Sequence, residues 1–298
     1  MCCAWIWVIS MKKWFRQVVR VLFVAALICM MAAAGCAEPF TLHGITADTE
    51  DTTIDFGKRR LSNINAVMEI LDRMPNLVQA DMFAERFKRS QIEMLYERYP
   101  QIHFGFTLTV GDHTVRTDAT AFSTLHGSSP DPSHTSKTFE ILKYCDNLQA
   151  LDIGHNSVTD LSFLYDLPNL KLLIVAVNCV TDLTPLTALK ELEYLELFTN
   201  NIRDITPLKE LTNLRDLNLK HNPIKDMSVL YEMTWLERLW IGQDFRTPPE
   251  QLEQLYAALP NCEIDWENNP TEGTWRKHPH YDTIYKVFNT GVYEPFSD

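Results

Sequence analysis

The strongest constraint on this chain is a repeat of 22 residues that never slips in register. Four full units begin at Leu148, Leu170, Leu192 and Leu214, and a fifth begins at Leu236. Each unit opens with the pattern leucine-x-x-leucine-x-aliphatic, and every apolar column is filled in every copy. A repeat of this kind predicts stacked coils, because no single coil can bury its apolar side without its neighbours.

Each unit divides into a strand and a return segment. In the opening stretch the inner apolar residues alternate, so they can face a common core from one side of an extended chain. A later leucine column belongs to the return segment, where tight helical turns lead to the next strand. Its members are Leu164, Leu186, Leu208 and Leu230. We therefore predict an α/β solenoid with a parallel sheet on one side and short helical turns on the other.

Two polar columns are predicted to hold the coils together rather than to bind a ligand or metal. The asparagine column consists of Asn156, Asn178, Asn200 and Asn222. It follows the strand, where a side-chain amide can satisfy backbone groups that would otherwise be buried without partners. The aspartate column consists of Asp160, Asp182, Asp204 and Asp226. It precedes the helical turn, where a carboxylate caps free backbone N–H groups.

The recurring unit LxxLxLxxNxIxDLxPLxxLxN resembles the bacterial leucine-rich repeats typified by internalins, over roughly residues 138 to 242. The resemblance implies a curved, right-handed leucine-rich-repeat horseshoe. Its parallel strands would line the concave face, and its short helical turns would lie on the convex side. It also implies that the protein recognises another protein.

Residues 1–36 have the composition of a secretory signal peptide. From Met11 onward a cationic start is followed by an apolar run of about 14 residues, short of the roughly 20 that a transmembrane helix needs. Small residues then precede Cys36. Residues 1–10 fit this pattern poorly, so we expect translation to start at Met11.

The sequence Ala33-Ala34-Gly35-Cys36 resembles the lipobox of bacterial lipoproteins, in which the cysteine is acylated and becomes the first mature residue. The resemblance implies a lipid anchor at Cys36 on the outer face of the cell membrane. Lipoproteins usually have leucine where this chain has Ala33. Ordinary cleavage nearby, for example after Ala37, therefore stays open and would give a secreted protein.

The charge balance argues against two classes of partner. The formal net charge is −12, and beyond residue 36 the chain carries 23 basic and 39 acidic residues. Such a surface, without a basic stripe, repels a phosphate backbone, so no nucleic-acid partner is expected. Polybasic binding to a membrane is equally disfavoured, which leaves the lipid anchor as the expected membrane contact.

The cysteines beyond the signal region are Cys145, Cys179 and Cys262. An odd and widely spaced set does not indicate a disulfide framework. Cys145 falls on a core column of the repeat, where a small apolar residue is expected to be buried.

Composition and spacing predict four segments along the chain. They are the signal peptide at 1–36, diverged repeats with a cap and a hairpin insertion at 37–137, the array at 138–266 and a C-terminal cap at 267–298. Two longer units, offset by 160 residues, show the order strand, amphipathic helix, strand. The insertion turns at Gly111-Asp112 and is expected to replace the first half of one repeat. The aromatic-rich tail is expected to cover the open end of the solenoid.

The outward strand positions are the candidate ligand site. They are Leu172, Ile174, Tyr194, Glu196, Phe198, Asp216, Arg238 and Trp240. Parallel strands lie about 4.8 Å apart, so the apolar members should form one exposed patch with a charged rim. Aromatic anchors inside a charged rim are typical of protein-recognition surfaces. Coverage of the patch by the hairpin and loop at 105–135, or by self-contact, is the alternative.

We predict a non-enzymatic binding module without a cofactor. Gly-x-Ser-x-Gly, His-Glu-x-x-His and glycine-rich phosphate loops are absent from the sequence. One alternative is binding of cell-wall glycan, with Tyr194, Phe198 and Trp240 as stacking platforms. A weaker alternative is a metal-dependent hydrolase built on His278 and His280, close to Asp282, because two histidines without a third ligand are weak evidence for a metal.

Overall fold

The computed structural model describes residues 37–61, 63–125, 134–242, 249–266 and 275–296. The chain divides into two compact units, Met1–Leu108 and Thr109–Asp298. The predicted signal peptide and Cys36 lie outside the described residues. Within the described ranges, no helix combines the length and apolarity required to cross a membrane.

The first unit consists of a hairpin followed by strand–helix–strand repeats. Strands β1 (Pro39–Leu42) and β2 (Ile45–Asp48) are antiparallel. A parallel sheet follows, made of β3 (Thr53–Asp55), β4 (Gln79–Asp81) and β5 (His103–Gly105), with helices α1 (Ile64–Leu71) and α2 (Arg89–Arg98) between them. Ile54, Ala80 and Phe104 share one register and are buried. This order agrees with the predicted long repeats.

The second unit is built on a parallel sheet of seven strands. The boundary between the units falls within β6 (Thr107–Val110), which forms a hairpin with β7 (His113–Arg116). The seven strands are β8 (Ala121–Ser123), β9 (Ala150–Asp152), β10 (Leu172–Ile174), β11 (Tyr194–Glu196), β12 (Asp216–Asn218), β13 (Arg238–Trp240) and β14 (Glu263–Asp265). They lie in sequence order across the sheet. The second unit is therefore a leucine-rich-repeat solenoid, as predicted.

The register of the sheet repeats with the sequence. The central residues of β9 to β13 pair with one another and are completely or almost completely buried. They are Leu151, Leu173, Leu195, Leu217 and Leu239. After each strand the chain returns through a short 3-10 helix, such as Thr184–Ala188, or through a true helix in the last coil, α4 (Pro249–Ala258). A one-turn helix, α3 (Ser136–Phe139), stands before the first of these turns.

The hairpin region departs from the prediction in one respect. The hairpin and loop do not replace the first half of the repeat, because Ala121–Ser123 provides its strand, with Phe122 in register with Leu151. Phe122 supplies the inward position and Ala121 the face-lining position, without the usual leucines. The sheet therefore begins one coil earlier than the leucine pattern does.

Each asparagine of the column links its own coil to its neighbour. Asn200 Nδ2 donates to Leu197 O in its own coil at 3.0 Å and to Val175 O in the preceding coil at 2.9 Å. Its Oδ1 accepts from Val180 N at 2.9 Å. Asn178 and Asn222 make the same pattern of bonds, and Asn156 bonds within its own coil and to Thr124 Oγ1. The ladder thus satisfies backbone groups that are out of reach of water.

Replacing Asn200 with alanine is expected to lower the free energy of unfolding by roughly 1–3 kcal/mol, because it leaves buried backbone groups unsatisfied. Urea unfolding followed by tryptophan fluorescence measures the loss. The matched control is Asn201→Ala at the next, exposed position, which should change stability by less than about 0.5 kcal/mol. Equal losses in the two variants would contradict a structural role for the ladder.

The aspartate column opens the helical turns. Asp182 Oδ1 accepts from Thr184 N at 2.8 Å and from Thr184 Oγ1 at 2.6 Å. Asp160, Asp204 and Asp226 accept from the backbone N–H two residues later in the same way. Hydrogen bonds from Thr206 and Ser228 lower the pKa values of Asp204 and Asp226.

Cys145 is buried and forms no disulfide, and its burial raises the pKa of the thiol to about 12.

Candidate functional site

The predicted site residues form one continuous surface on the sheet, which we call the strand face. It comprises the outward side chains of β8 to β13 together with Ala176 and Phe198. The predicted members are Leu172, Ile174, Tyr194, Glu196, Phe198, Asp216, Arg238 and Trp240. They are adjacent, as expected, but the expectation that they are exposed is wrong. All eight are less than one-tenth exposed.

The cover comes from the chain's own end, residues 275–296, which we call the C-terminal segment. It contains a short 3-10 helix, Trp275–Lys277, and helix α5 (Pro279–Thr290). The segment packs on the strand face, so the prediction that the tail caps the open end of the solenoid is wrong. The described cover is also not the 105–135 hairpin and loop considered as the alternative.

Helix α5 covers the apolar half of the strand face. Its buried side chains, Ile284, Val287 and Phe288, recur at helical spacing and join the cluster that contains Leu172 and Ile174. The small residues Ala121, Ala150 and Ala176 belong to the same cluster. Short side chains allow a helix axis to approach the sheet closely. His278 caps the start of α5 by accepting from His280 N, and Gly291 ends it at φ +69°.

Trp275 is the anchor over the polar half. Its indole stacks on Trp240, with 5.7 Å between ring centroids and an interplanar angle of 11°. Its Nε1 donates to Tyr194 Oη at 2.7 Å and to Glu196 Oε1 at 3.0 Å. The hydroxyl of Tyr194 in turn donates to Glu196 Oε1. One tryptophan is therefore held by stacking and by hydrogen bonds to two neighbouring residues of β11.

A second polar anchor joins β12 and β13 to the C-terminal segment. Asp216 Oδ2 accepts from His280 Nδ1 at 2.7 Å and from Arg238 Nη1 at 3.3 Å. Arg238 also donates to Trp275 O at 3.2 Å, and its guanidinium lies 4.1 Å from the centroid of the Trp275 ring. His280 stacks on Phe296 at 4.5 Å. Charge, hydrogen bonds and ring contacts thus meet on a few residues, as in the anchor positions of protein interfaces.

The strand face buries three titratable groups whose pKa values are raised. Burial raises the pKa of Asp152 to about 7, and the hydrogen bond from Gly154 N partly opposes this rise. Burial also raises the pKa values of Glu196 and Tyr194. In all three groups the cause is the same, because a low-dielectric interior disfavours the ionised form.

Several polar atoms of this interface have no hydrogen-bond partner in the described part of the chain. Four belong to the strand face, namely Glu196 Oε2, Asp216 Oδ1, Asn218 Nδ2 and Trp240 Nε1. Two more, Arg276 Nε and Tyr293 Oη, belong to the C-terminal segment. Each unsatisfied buried group costs about 1–3 kcal/mol of stability. The C-terminal segment therefore covers the strand face but leaves several of its polar groups without hydrogen bonds.

His278 and His280 converge with Asp216, not with the Asp282 suggested by the sequence. Asp216, His278 and His280 each offer a ligand atom within 4.8 Å of the others, whereas Asp282 is exposed on α5. The arrangement is nevertheless poor for a metal, because Arg238 places a positive charge 3.3 Å from Asp216 Oδ2. The structure supports a hydrogen-bonded anchor at this position.

Sequence reasoning missed the residues that cover the site. The sequence pattern assigns the aromatic-rich tail to a terminal cap and His280 to a weak metal motif, whereas Trp275 and His280 both contact the strand face. The sequence offers one signal: Ile284, Val287 and Phe288 form an apolar stripe at i, i+3 and i+4, in line with His280 one turn earlier. Such a stripe needs a partner surface, and the sequence also predicts an apolar patch on the outward strand positions.

The fold and the repeat pattern place the second unit in the class of leucine-rich-repeat solenoids. A family model described as leucine-rich repeats, in two copies, matches residues 146–186 and 168–210. No curated protein matches the chain significantly.

Several solved structures are similar to this chain. Internalin C2 of Listeria monocytogenes str. 4b F2365 is 20% identical, with 72% of this chain and 80% of that chain covered and a TM-score of 0.41. An internalin, inlF, of the same strain is 21% identical, with coverages of 70% and 65% and a TM-score of 0.40. A leucine-rich-repeat protein of Leptospira interrogans is 19% identical, with coverages of 73% and 58% and a TM-score of 0.38.

Proposed function

We propose that this chain is a non-enzymatic recognition module whose strand face binds a segment of another protein, and that residues 275–296 occupy that face as an intramolecular ligand. The observation that carries the proposal is the docking of an amphipathic helix and a tryptophan anchor on the outward strand positions. An amphipathic helix laid in an apolar groove is a recurring mode of peptide recognition.

The chemistry of the interface supports a ligand site over a simple core. A core built only for stability avoids buried charges and unsatisfied polar atoms, since both are costly. The strand face nevertheless holds Asp152, Glu196, Asp216 and Arg238 beneath the C-terminal segment. A protein ligand that satisfies the remaining polar atoms would compete with the resident segment.

We place the module outside the cell, held at the membrane through acylated Cys36, with secretion after ordinary cleavage as the alternative. The support is the composition of residues 1–36 and the small residues before Cys36. No cofactor is part of this proposal.

The proposal predicts that the segment exchanges with free peptide. A protease site placed between Trp266 and Trp275 allows the folded full-length protein to be cut without removing the segment. Labelled peptide 275–296 should then bind saturably, as measured by fluorescence anisotropy, and unlabelled peptide should compete. A peptide with Trp275→Ala and Ile284→Asp, which removes the tryptophan anchor and places a charge on the buried apolar side of α5, is the matched control. If the cut segment never exchanges with excess peptide under native conditions, the strand face is a permanent core and the proposal is wrong.

Crosslinking in intact cells identifies the class of partner. A variant with the segment loosened by Trp275→Ala should capture more protein partner through a photoreactive residue on the strand face than a Trp235→Ala variant does. Trp235 is a suitable control because its indole N–H donates to Leu211 O, away from the C-terminal segment. Capture of glycan in place of protein would favour the alternative function, in which the same rings stack on sugar.

A further inference from the structure

Two histidines and an aspartate converge at the turn of the β6–β7 hairpin. Asp112 lies in the turn, His113 is the first residue of β7, and His134 comes shortly before α3. The Nε2 atoms of both histidines approach the same oxygen, Asp112 Oδ1, at 3.2 Å from His113 and at 2.8 Å from His134. The ligand atoms of all three residues lie within 4.8 Å of one another.

These distances suit a tetrahedral metal ion. Zinc binds histidine nitrogen and carboxylate oxygen at about 2.0–2.2 Å, which at tetrahedral angles places ligand atoms roughly 3.4 Å apart. The two nitrogen–oxygen distances differ from that spacing by about 0.6 Å or less. A metal ion could therefore replace the shared protons between these groups with small side-chain movements.

The two imidazole rings are held in place before any metal binds. Their side chains are only 13% and 16% exposed for His113 and His134. His113 meets Phe122 edge to face, and His134 meets Phe139 in the same way, each with 6.3 Å between ring centroids. Gly111 leaves room for His134, because a Cβ there would lie 2.1 Å from its Cε1. Rigid ligands lower the entropy lost when an ion binds.

The electrostatic setting also suits a cation. Asp112 supplies the carboxylate of the ligand set, and both histidines approach the same oxygen of it. Asp112 is about half exposed, which leaves an approach for an ion and a position for a water ligand. In the cluster of Asp216, His278 and His280, by contrast, Arg238 shares the carboxylate.

We propose that Asp112, His113 and His134 form a binding site for a divalent transition-metal ion, Zn²⁺ by ligand type, with water as the fourth ligand. Two imidazoles and a carboxylate are a ligand set that zinc accepts. The bound ion would link the hairpin turn to His134, two residues before α3, and so stabilise the start of the solenoid. This site is separate from the strand face and does not depend on the function proposed above.

The test is a titration of the tag-free, full-length protein with Co²⁺, whose visible absorption reports tetrahedral coordination. One Co²⁺ per chain should bind and should be displaced by Zn²⁺. His134→Ala and Asp112→Asn should each lower the Co²⁺ affinity at least about tenfold. Removing a residue that only supports a metal ligand already lowers metal affinity by roughly this factor, and removing a ligand should lower it at least as much. Asp112→Asn changes a half-exposed side chain, so it keeps the test valid if His134→Ala fails to fold.

His278→Ala is the matched control, because it removes a histidine from the other cluster and should leave the Co²⁺ spectrum unchanged. Three results would overturn the proposal. The first is that the native chain gives no tetrahedral Co²⁺ spectrum. The second is that Asp112→Asn and His134→Ala leave the spectrum unchanged, and the third is that only His278→Ala abolishes it. Thermal unfolding with and without Zn²⁺ gives an independent readout, since a ligand that binds only the folded chain raises its melting temperature.

Discussion

Replacing Trp275 with alanine is expected to lower the free energy of unfolding of the second unit by about 3–5 kcal/mol, the usual cost of truncating a large buried aromatic residue. Trp275 is 3% exposed. Its removal eliminates the stack on Trp240, leaves Tyr194 Oη without its donor and removes one of the two hydrogen bonds to Glu196 Oε1. The C-terminal segment should therefore detach from the strand face before the coils unfold.

Two measurements separate detachment from general loss of stability. Beyond residue 36 every tryptophan lies in the second unit, at positions 235, 240, 266 and 275, so fluorescence reports on that unit alone. Hydrogen exchange at the α5 amides reports on docking. Trp235→Ala, on the return side of the coil, should leave α5 protected. Rapid exchange of α5 in both variants, or in neither, would contradict the role of Trp275 as the anchor.

Replacing Asp152 with asparagine is expected to raise the free energy of unfolding by about 2–4 kcal/mol at pH 8 and by little at pH 4. The carboxyl is buried, and its pKa is raised from 3.8 to about 7 in the folded chain, mainly by burial. Asparagine has no charge to desolvate, and its oxygen can still accept from Gly154 N. Urea unfolding between pH 4 and pH 8 measures the difference.

The sign of the pH dependence follows from the raised pKa. Between pH 4 and pH 7 the unfolded chain releases the Asp152 proton while the folded chain retains it, so stability falls as pH rises through this window. Asp204 has a lowered pKa, so it contributes stability above its unfolded pKa that is lost on acidification. This loss lies at and below the ordinary aspartate pKa of 3.8, so Asp204→Asn is a control that should leave the slope between pH 4 and pH 7 nearly unchanged. A native profile that Asp152→Asn leaves unchanged would show that Asp152 is ionised in the folded protein.

The repeat itself could be predicted almost completely from the chain. The strands start where the leucine pattern starts, and Leu173 pairs with Leu151 and Leu195 as the 22-residue period requires. Every coil contacts the next with the same residue types, so one correct alignment predicts all the others. The first strand of the seven-stranded sheet, Ala121–Ser123, was not predicted, because its coil contains an insertion and lacks the leucines of the repeat.

The turn into the asparagine ladder could not be predicted from local preference. His155, Val177, Thr199 and His221 all have positive φ, between 55° and 58°. A β-branched residue such as Val177 disfavours this conformation. The ladder imposes it, because the following asparagine must reach carbonyl groups of two coils.

The repeat predicts which residues form the candidate site, but it does not predict that they are buried. The period alone places Tyr194, Asp216 and Arg238 on one face of the sheet, since contacts between coils recur every 22 residues. Trp275 reaches Tyr194 across 81 residues, and Tyr293 reaches Thr120 across 173. Each of these contacts occurs once in the chain, so the period of the repeat cannot predict it. Whether the strand face is open or covered is therefore decided by tertiary packing, through the apolar stripe of α5 and the shape of the surface that receives it.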